Sequence, residues 1–542
     1  MIAPQRLMLH QHIARSLEEQ YAKRLEEHAA ELAEHFSQST DPGDLIKAVE
    51  YGKMAAKRAS SVYAYGEAAR LLEQALKVQR IIDPDDKANI CDLLLELSSV
   101  SWFTGGHRHS LDEELPEAFA LAEALGDRTR ASLACTLAVK LYGLGAVFSQ
   151  EAWARPEAAT WLERADHYAE PGTVGRAWAD QGMGYVKCLT NYYSPQPQIY
   201  KEGMQLLDRA SELALRLDDI DAFWHIPAIW INYAYTPQYA RRRRELAEQM
   251  AGRLSSCPNP VTLILFGSIW LESGLRVRFE ECCNYLKSLS ERTRLNTTIL
   301  MSMRADSILA ALDGRFEEAL EIAQNIETRG KEFGIPEFAS VWVMITKIMP
   351  LIRLGRTDEL LRGPLNIPSN LIKVWCQGKP GSDVEVSEIL EKLVVARPGI
   401  GTVDDHTAVY SDAIFLEVAV LVGHRPTAEL LLKRLSGYSL PFTYQAFLTC
   451  IPRHLGGAAA LLGRYDEARQ YYQEAIRVCT ELRFRPELAL TRLQLAELLL
   501  EHYPAEKKEA LEHLDFAIKE FREMKMQPSL ERALRHKDIL KA

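Results

Sequence analysis

One stretch near the C-terminus restricts what this chain can fold into more than any other. Residues 455–476 read LGGAAALLGRYDEARQYYQEAI. This stretch contains two segments with helical periodicity, each with a stripe of apolar residues along one face, separated by a glycine. The first stripe spaces apolar residues at i, i+4, i+7 and i+11, so they share one helix face; they are Ile451, Leu455, Ala458 and Leu462. Gly463 follows, where a residue with positive φ most easily ends a helix. The stretch therefore predicts one complete helix–turn–helix repeat.

The second helix of this repeat carries the facing stripe. Small side chains at Ala468 and Ala475 let two helices approach closely, while Tyr472 fills the groove between them. The pattern resembles a tetratricopeptide repeat, a helix pair of about 34 residues. The matching positions are Leu455, Gly456, Gly463, Tyr465, Ala468, Tyr472 and Ala475. One departure is Pro452, which stands where that repeat prefers tryptophan.

The same turn recurs earlier in the chain. Residues 312–319 read LDGRFEEA, with Gly314 in the turn and Ala319 in the second helix, and residues 354–360 read LGRTDEL. No segment alternates apolar and polar residues over a useful length, as a half-buried strand would. The predicted fold is therefore all-α: a tetratricopeptide-like α-solenoid, a right-handed superhelix of antiparallel helix pairs. In such a fold each pair buries its face only against its neighbours.

The regularity of the helical pattern varies along the chain and predicts four segments. These are N-terminal helical repeats over 1–80, central and partly irregular helical repeats over 81–365, a Gly/Pro-rich loop region with a short helix over 366–406, and C-terminal tetratricopeptide-like repeats with a capping helix over 407–542.

Composition narrows the choice of partner. The net charge of −10 argues against a general surface for nucleic acid or anionic membranes. No apolar run approaches the roughly 20 residues that cross a bilayer. Nine scattered cysteines without a C-x-x-C motif fit a reducing compartment. We therefore expect a cytoplasmic protein that contacts neither nucleic acid nor a membrane directly.

Motifs for catalysis are missing from the sequence. It contains no G-x-x-x-x-G-K-[ST], no H-E-x-x-H and no G-x-S-x-G. His107 and His109 follow two glycines and raise the alternative of a metal site, but no third ligand is near, so a polar turn is favoured. We expect no enzymatic activity, no cofactor and no metal.

Residues 223–244, here called the aromatic–arginine segment, stand out from this background. Aromatic rings beside guanidinium groups bind planar or anionic ligands by stacking and by charge-assisted hydrogen bonds. A break at Pro227 would bring two tryptophans to one cavity, with the arginines at its rim. The alternative is that the aromatic rings fill gaps of an irregular solenoid and the arginines coat a helix. The candidate ligand or partner residues are Trp224, Trp230, Tyr233, Tyr235, Tyr239, Arg241, Arg242, Arg243 and Arg244.

Residues 1–80 and 440–542 also resemble a larger family. Segments such as LMLHQHIARSLEEQYAKRLEEHAAELAEHF and ELRFRPELALTRLQLAELLL are similar to the repeat region of bacterial signal-transduction ATPases (MalT-like) fused to LuxR-type or nucleotide-cyclase modules. The ATPase and output modules of that family have no counterpart in these residues.

This resemblance implies a non-catalytic sensor or interaction region of a transcriptional or signalling regulator. Its candidate partners would be a protein, an ATPase module in cis or in trans, and a small-molecule inducer. The alternative is a free-standing scaffold that binds a peptide or protein in its concave groove.

Overall fold

The structure is a computed structural model that describes residues 3–145, 153–193, 197–361, 369–377, 383–443 and 447–539. Contacts divide the chain into two compact units. Unit 1 comprises Met1–Ile226 and Arg292–Leu295, and unit 2 comprises Pro227–Glu291 and Asn296–Ala542. Within the described ranges there is no strand, and a single isolated bridge joins Phe442 to Cys450. The predicted all-α fold of helical repeats is confirmed.

In unit 1 each helix as far as Pro197–Ala214 packs against the one before it, as the repeat pattern predicts. A single turn at His107–His109 and a π-helical turn at Ser110–Glu114 interrupt the series. The helices are α1 (Ala3–Gln20), α2 (Leu25–Ser37), α3 (Pro42–Ser61), α4 (Tyr65–Ile82), α5 (Lys87–Thr104), α6 (Leu115–Leu125), α7 (Arg128–Gly145), α8 (Pro156–Tyr168), α9 (Val174–Tyr193), α10 (Pro197–Ala214) and α11 (Ile220–Tyr233), of which α11 ends in unit 2.

The remaining helices belong to unit 2. They are α12 (Ala240–Ala251), α13 (Pro260–Glu272), α14 (Arg276–Thr293), α15 (Asn296–Leu312), α16 (Phe316–Glu332), α17 (Pro336–Leu354), α18 (Ser369–Gln377), α19 (Val384–Leu390), α20 (Val409–Val422), α21 (Arg425–Leu435), α22 (Ile451–Leu461), α23 (Tyr465–Leu482), α24 (Arg485–His502), α25 (Lys507–Glu523) and α26 (Gln527–Ile539). The last two residues of α14 lie outside unit 2, and a single helical turn at Thr357–Leu360 lies between α17 and α18.

The stretch 366–406 is more helical than the sequence indicates. Its described part holds α18 and α19, followed by a π-helical turn at Glu391–Val395, where one short helix was predicted. Residues 366–368 and 378–382 lie outside the described residues. Asp383 caps α19 by accepting a hydrogen bond from the backbone N–H of Val386 at 3.0 Å.

Helices of unit 2 that are far apart in sequence pack together. Phe316, at the start of α16, lies in the same apolar cluster as Leu493 of α24 and Phe521 of α25. Gly314 has φ of +76°, and a Cβ there would lie 2.2 Å from the sulfur of Met524. The prediction that each pair buries its face only against its neighbours is therefore wrong for unit 2. The C-terminal helices cover the turn at Gly314 and the apolar side chain of Phe316 instead.

The repeat at α22 and α23 has the predicted stripes in its interior. Leu455, Ala468, Tyr472 and Ala475 are buried. Gly463 has φ of +81° and ends the first helix. Two further predicted packing residues lie in the first turns of their helices. Tyr465 stacks on His502 with ring centroids 3.6 Å apart, and Ala319 is buried in α16.

Two adjacent glycines of α22 give a test of this packing. A Cβ on Gly456 would lie 2.6 Å from ring atoms of Tyr472, whereas one on Gly457 would lie 3.4 Å from Val420. We expect Gly456→Ala to destabilise the protein by about 1–3 kcal/mol through overpacking. Gly457→Ala should be neutral or stabilise by up to about 1 kcal/mol through helix propensity. Urea unfolding midpoints of both variants decide this, and equal midpoints would contradict the close approach of Tyr472.

Candidate functional site

The tryptophans of the aromatic–arginine segment are core residues. Helix α11 is continuous through Pro227, so the predicted break is wrong. Trp224 is 1% exposed and Trp230 is fully buried. A ligand that stacks on either ring must therefore displace side chains packed on it.

Two of the three tyrosines of this segment, Tyr233 and Tyr239, are only partly buried. Tyr239 contacts Trp230 edge to face, with ring centroids 5.8 Å apart. Tyr235 is buried and makes the same kind of contact with Tyr410, and its carbonyl accepts a hydrogen bond from the backbone N–H of Val409 at 2.9 Å. Tyr233 is half-buried at the end of α11. These contacts tie the segment to the start of α20.

The four arginines point in different directions. Arg241 and Arg242 are exposed, and the guanidinium of Arg242 lies 5.3 Å from the ring centroid of Trp230. Arg244 is half-buried and donates to the carbonyl of Ser439 at 2.8 Å. The prediction that all four arginines form a solvent-facing rim is wrong for Arg243.

Arg243 lies in the core of unit 2 because of its register in α12. It shares the buried face with Leu246, Ala247 and Met250, three to seven residues further along the helix. Its guanidinium is fully buried and donates to both oxygens of Glu272, at 2.6 and 3.1 Å. Burial alone would lower the pKa of Arg243, but the Glu272 carboxylate outweighs it, so the pKa of Arg243 is raised. Burial also raises the pKa of Glu272, which Arg243 lowers only in part.

A second buried cluster, here called the Asp412 cluster, holds the loop between α19 and α20. Asp412 accepts from Arg397 at 2.9 Å and from Arg434 at 2.6 Å. Asp405 lies 2.7 Å from Arg434 and 3.3 Å from Arg397. The loop pinned in this way contacts the aromatic–arginine segment, because Gln238 donates to the carbonyl of Val403 at 3.3 Å.

A third cluster, here called the Arg453 network, joins four helices of unit 2. Arg453 is fully buried and lies 2.8 Å from Glu487 and 2.8 Å from Glu417. Arg353 also pairs with Glu487, and His454 Nδ1 lies 2.9 Å from Glu417. Burial raises the pKa of a carboxyl, but Arg453 outweighs it and holds the pKa of Glu417 well below its ordinary value. The pKa of Glu487 is lowered in the same way.

The cysteines are placed for packing rather than for reaction. All nine are free and buried. Burial raises the pKa of the Cys91 and Cys376 thiols to about 11 and that of Cys135 to about 12. Since the thiolate is the nucleophile, these thiols are unreactive at neutral pH.

Unit 1 contains a cavity of about 460 Å³, here called the acidic cavity, within the size range of ligand sites. It lies between α4, α5, the π-helical turn and α6. The apolar lining consists of Leu76, Ile81, Leu94 and Leu97, and the charged and polar lining of Glu73, Lys77, Arg80, His109, Glu113, Glu114 and Glu117. Of these residues the sequence draws attention to His109, as part of a polar turn, and to Glu113 and Glu114, as part of an acidic run typical of a solvated helix end.

Metal ligands do not converge among the residues that the structure describes. No group of three or more His, Cys, Asp or Glu side chains is arranged to hold an ion in that part of the chain. His109 instead lies 3.4 Å from Glu113 and 3.8 Å from Glu114. No described helix is both long and apolar enough to cross a bilayer.

Comparison with known proteins gives one family similarity. The profile of the tetratricopeptide repeat family matches residues 447–519, which include α22, α23, α24 and most of α25. No curated protein sequence matches the chain.

The solved structures that align with the chain have low sequence identity to it. The crystal structure of the APC/C hetero-tetramer Cut9–Hcn1 aligns at 16% identity and a TM-score of 0.37, covering 90% of this chain and 86% of that one. Yeast Tom70 aligns at 13% identity and a TM-score of 0.23, covering 91% and 96%. A circular tandem repeat protein aligns at 15% identity and a TM-score of 0.15, covering 99% and 98%. The chain is thus similar to tetratricopeptide repeats over residues 447–519.

Proposed function

We propose that this chain is a non-catalytic helical-repeat region that binds a partner protein. We propose further that it serves as the sensor or interaction arm of a regulator and relays binding to an ATPase module in cis or in trans. One observation carries the proposal. The tetratricopeptide match at 447–519 covers the regular helix pair α22–α23 and most of the pair α24–α25. Stacked helix pairs present extended surfaces on which such proteins bind others.

The buried charges support a rigid binding surface. Arg243 with Glu272, the Asp412 cluster and the Arg453 network each join helices inside unit 2. In each of them the charged groups are paired with opposite charges within the fold. A surface held in this way loses little conformational entropy when a partner binds.

Selection with the full-length chain tests the proposal. The immobilised protein is exposed to a display library of protein fragments from its source organism, and enriched fragments are purified and titrated by calorimetry. We expect at least one fragment to bind with a Kd of about 10 μM or tighter. Scrambled versions of the same fragments provide the control.

The identity of the fragments separates the two forms of the proposal. Enrichment of a P-loop ATPase or its linker supports the regulator arm, whereas fragments unrelated to ATPases support a free-standing scaffold. If no purified fragment binds more tightly than its scrambled control, the protein-binding function is wrong.

A further inference from the structure

We propose that the acidic cavity of unit 1 binds a basic segment of the partner, with a lysine or arginine side chain inserted beside an aliphatic residue. The inference rests on the proposed function and names the chemistry of the partner. The occupant follows from three features of the cavity: its size, its apolar floor and its surplus of negative charge.

The floor of the cavity is apolar. Leu76 of α4 and Leu94 and Leu97 of α5 line it and are nearly buried, whereas Ile81 at the end of α4 is 68% exposed. An exposed isoleucine beside buried leucines offers an apolar contact that a partner can cover. A volume of about 460 Å³ accommodates a long side chain together with a neighbouring aliphatic one.

The charged lining selects a cation. Four carboxylates face the cavity against Lys77 and Arg80, a surplus of two negative charges when His109 is neutral. Arg80 is already paired with Glu117, at 2.6 and 2.8 Å. Lys77 is therefore the one remaining permanent cation of the lining, and it balances only one of the three carboxylates of Glu73, Glu113 and Glu114.

Glu114 is the carboxylate best held for binding. It lies in the π-helical turn, and such turns occur often at functional sites. Its Oε2 accepts hydrogen bonds from Ser98 at 3.1 Å and from Ser110 at 2.6 Å. Its Oε1 lies 3.8 Å from His109 Nε2, which is too far for a hydrogen bond. The two serines thus fix the carboxylate while its second oxygen remains available to an ammonium or guanidinium group.

Defined peptides test the inference. The probe is a fluorescein-labelled peptide with the core Leu-Lys-Leu-Lys-Leu between Gly-Ser flanks, measured by anisotropy with the full chain at about 0.15 M salt. The same peptide with acetylated lysines and a version with glutamates are the matched probes. We expect binding of the lysine peptide and a loss of at least about tenfold in affinity for the other two.

Variants of the chain separate the cavity from general charge. Glu73→Gln with Glu113→Gln should weaken binding of the lysine peptide about tenfold or more, and so should the isosteric Glu114→Gln. The control pair, Glu19→Gln with Glu163→Gln, makes the same change in net charge at exposed positions of unit 1 and should leave affinity within about twofold.

Two results overturn the inference: no binding of the lysine peptide by the unaltered chain, or an equal loss in the control pair. In either case fragments selected on the whole chain can still bind elsewhere. Their binding would be unaffected by the cavity variants, so the cavity would be rejected and the protein-binding function retained.

Discussion

Replacing Arg243 by alanine is expected to destabilise unit 2 by about 3–5 kcal/mol, because it leaves the carboxylate of Glu272 buried without its counter-charge. Both side chains are at most 1% exposed, so water cannot take the place of the guanidinium. The effect should appear as a lower urea midpoint and a lower Tm of the full chain.

The same arginine run contains a matched control. Arg241 is 89% exposed, and its Nε lies 3.6 Å from Glu245, so Arg241→Ala should change stability by less than about 0.5 kcal/mol. Replacing Arg243 and Glu272 together by methionine should recover most of the loss, since paired removal leaves no buried charge. Equal effects at Arg241 and Arg243 would contradict the buried position of Arg243.

The second large effect is expected in the Arg453 network. Arg453→Met removes the arginine that Glu417 and Glu487 share in the core and leaves these two carboxylates with His454 and Arg353 as partners. We expect a loss of about 3–5 kcal/mol, measured by urea unfolding at neutral pH.

The control and the pH dependence sharpen this prediction. Arg464→Met removes an arginine whose side chain is 44% exposed and pairs with Glu429, and should cost less than about 1 kcal/mol.

The folded-state pKa values of Glu417 and Glu487 lie below their ordinary value of 4.5. Their contribution is therefore complete above pH 4.5 and is lost as the pH falls below it. An unaltered acid-unfolding profile in Arg453→Met would contradict the network.

Much of the fold was predictable because helical periodicity is a local property. The spacing of Leu455, Ala468 and Tyr472 is enough to place α22 and α23 and the face on which they meet. The packing of Gly314 against Met524 was not predictable in this way. Periodicity shows which face is buried, but not which distant helix covers it.

The candidate site was predictable only in part. A run of four arginines reads as surface charge, yet Arg243 stands three residues before Leu246 on the buried face. A second signal is Glu272, the one charged residue of a mostly apolar helix that is buried throughout. Together they indicate a buried ion pair.

The sequence pattern that indicates the acidic cavity is weaker than the one that indicates the buried ion pair. Glu73, Lys77 and Arg80 are spaced i, i+4 and i+7 and share one face of α4. That spacing is typical of a solvated helix face. The cavity arises only when the π-helical turn brings Glu113 and Glu114 to the same place, and no local pattern predicts that turn.

The most direct test of the account is calorimetric titration of the full chain with a fragment selected from the display library, beside a titration with Mg-ATP. The account predicts stoichiometric binding of the fragment with a Kd of about 10 μM or tighter, and no saturable heat with Mg-ATP. Binding of Mg-ATP with turnover, together with no fragment binding more tightly than about 1 mM, would contradict a protein-binding, non-catalytic helical-repeat region.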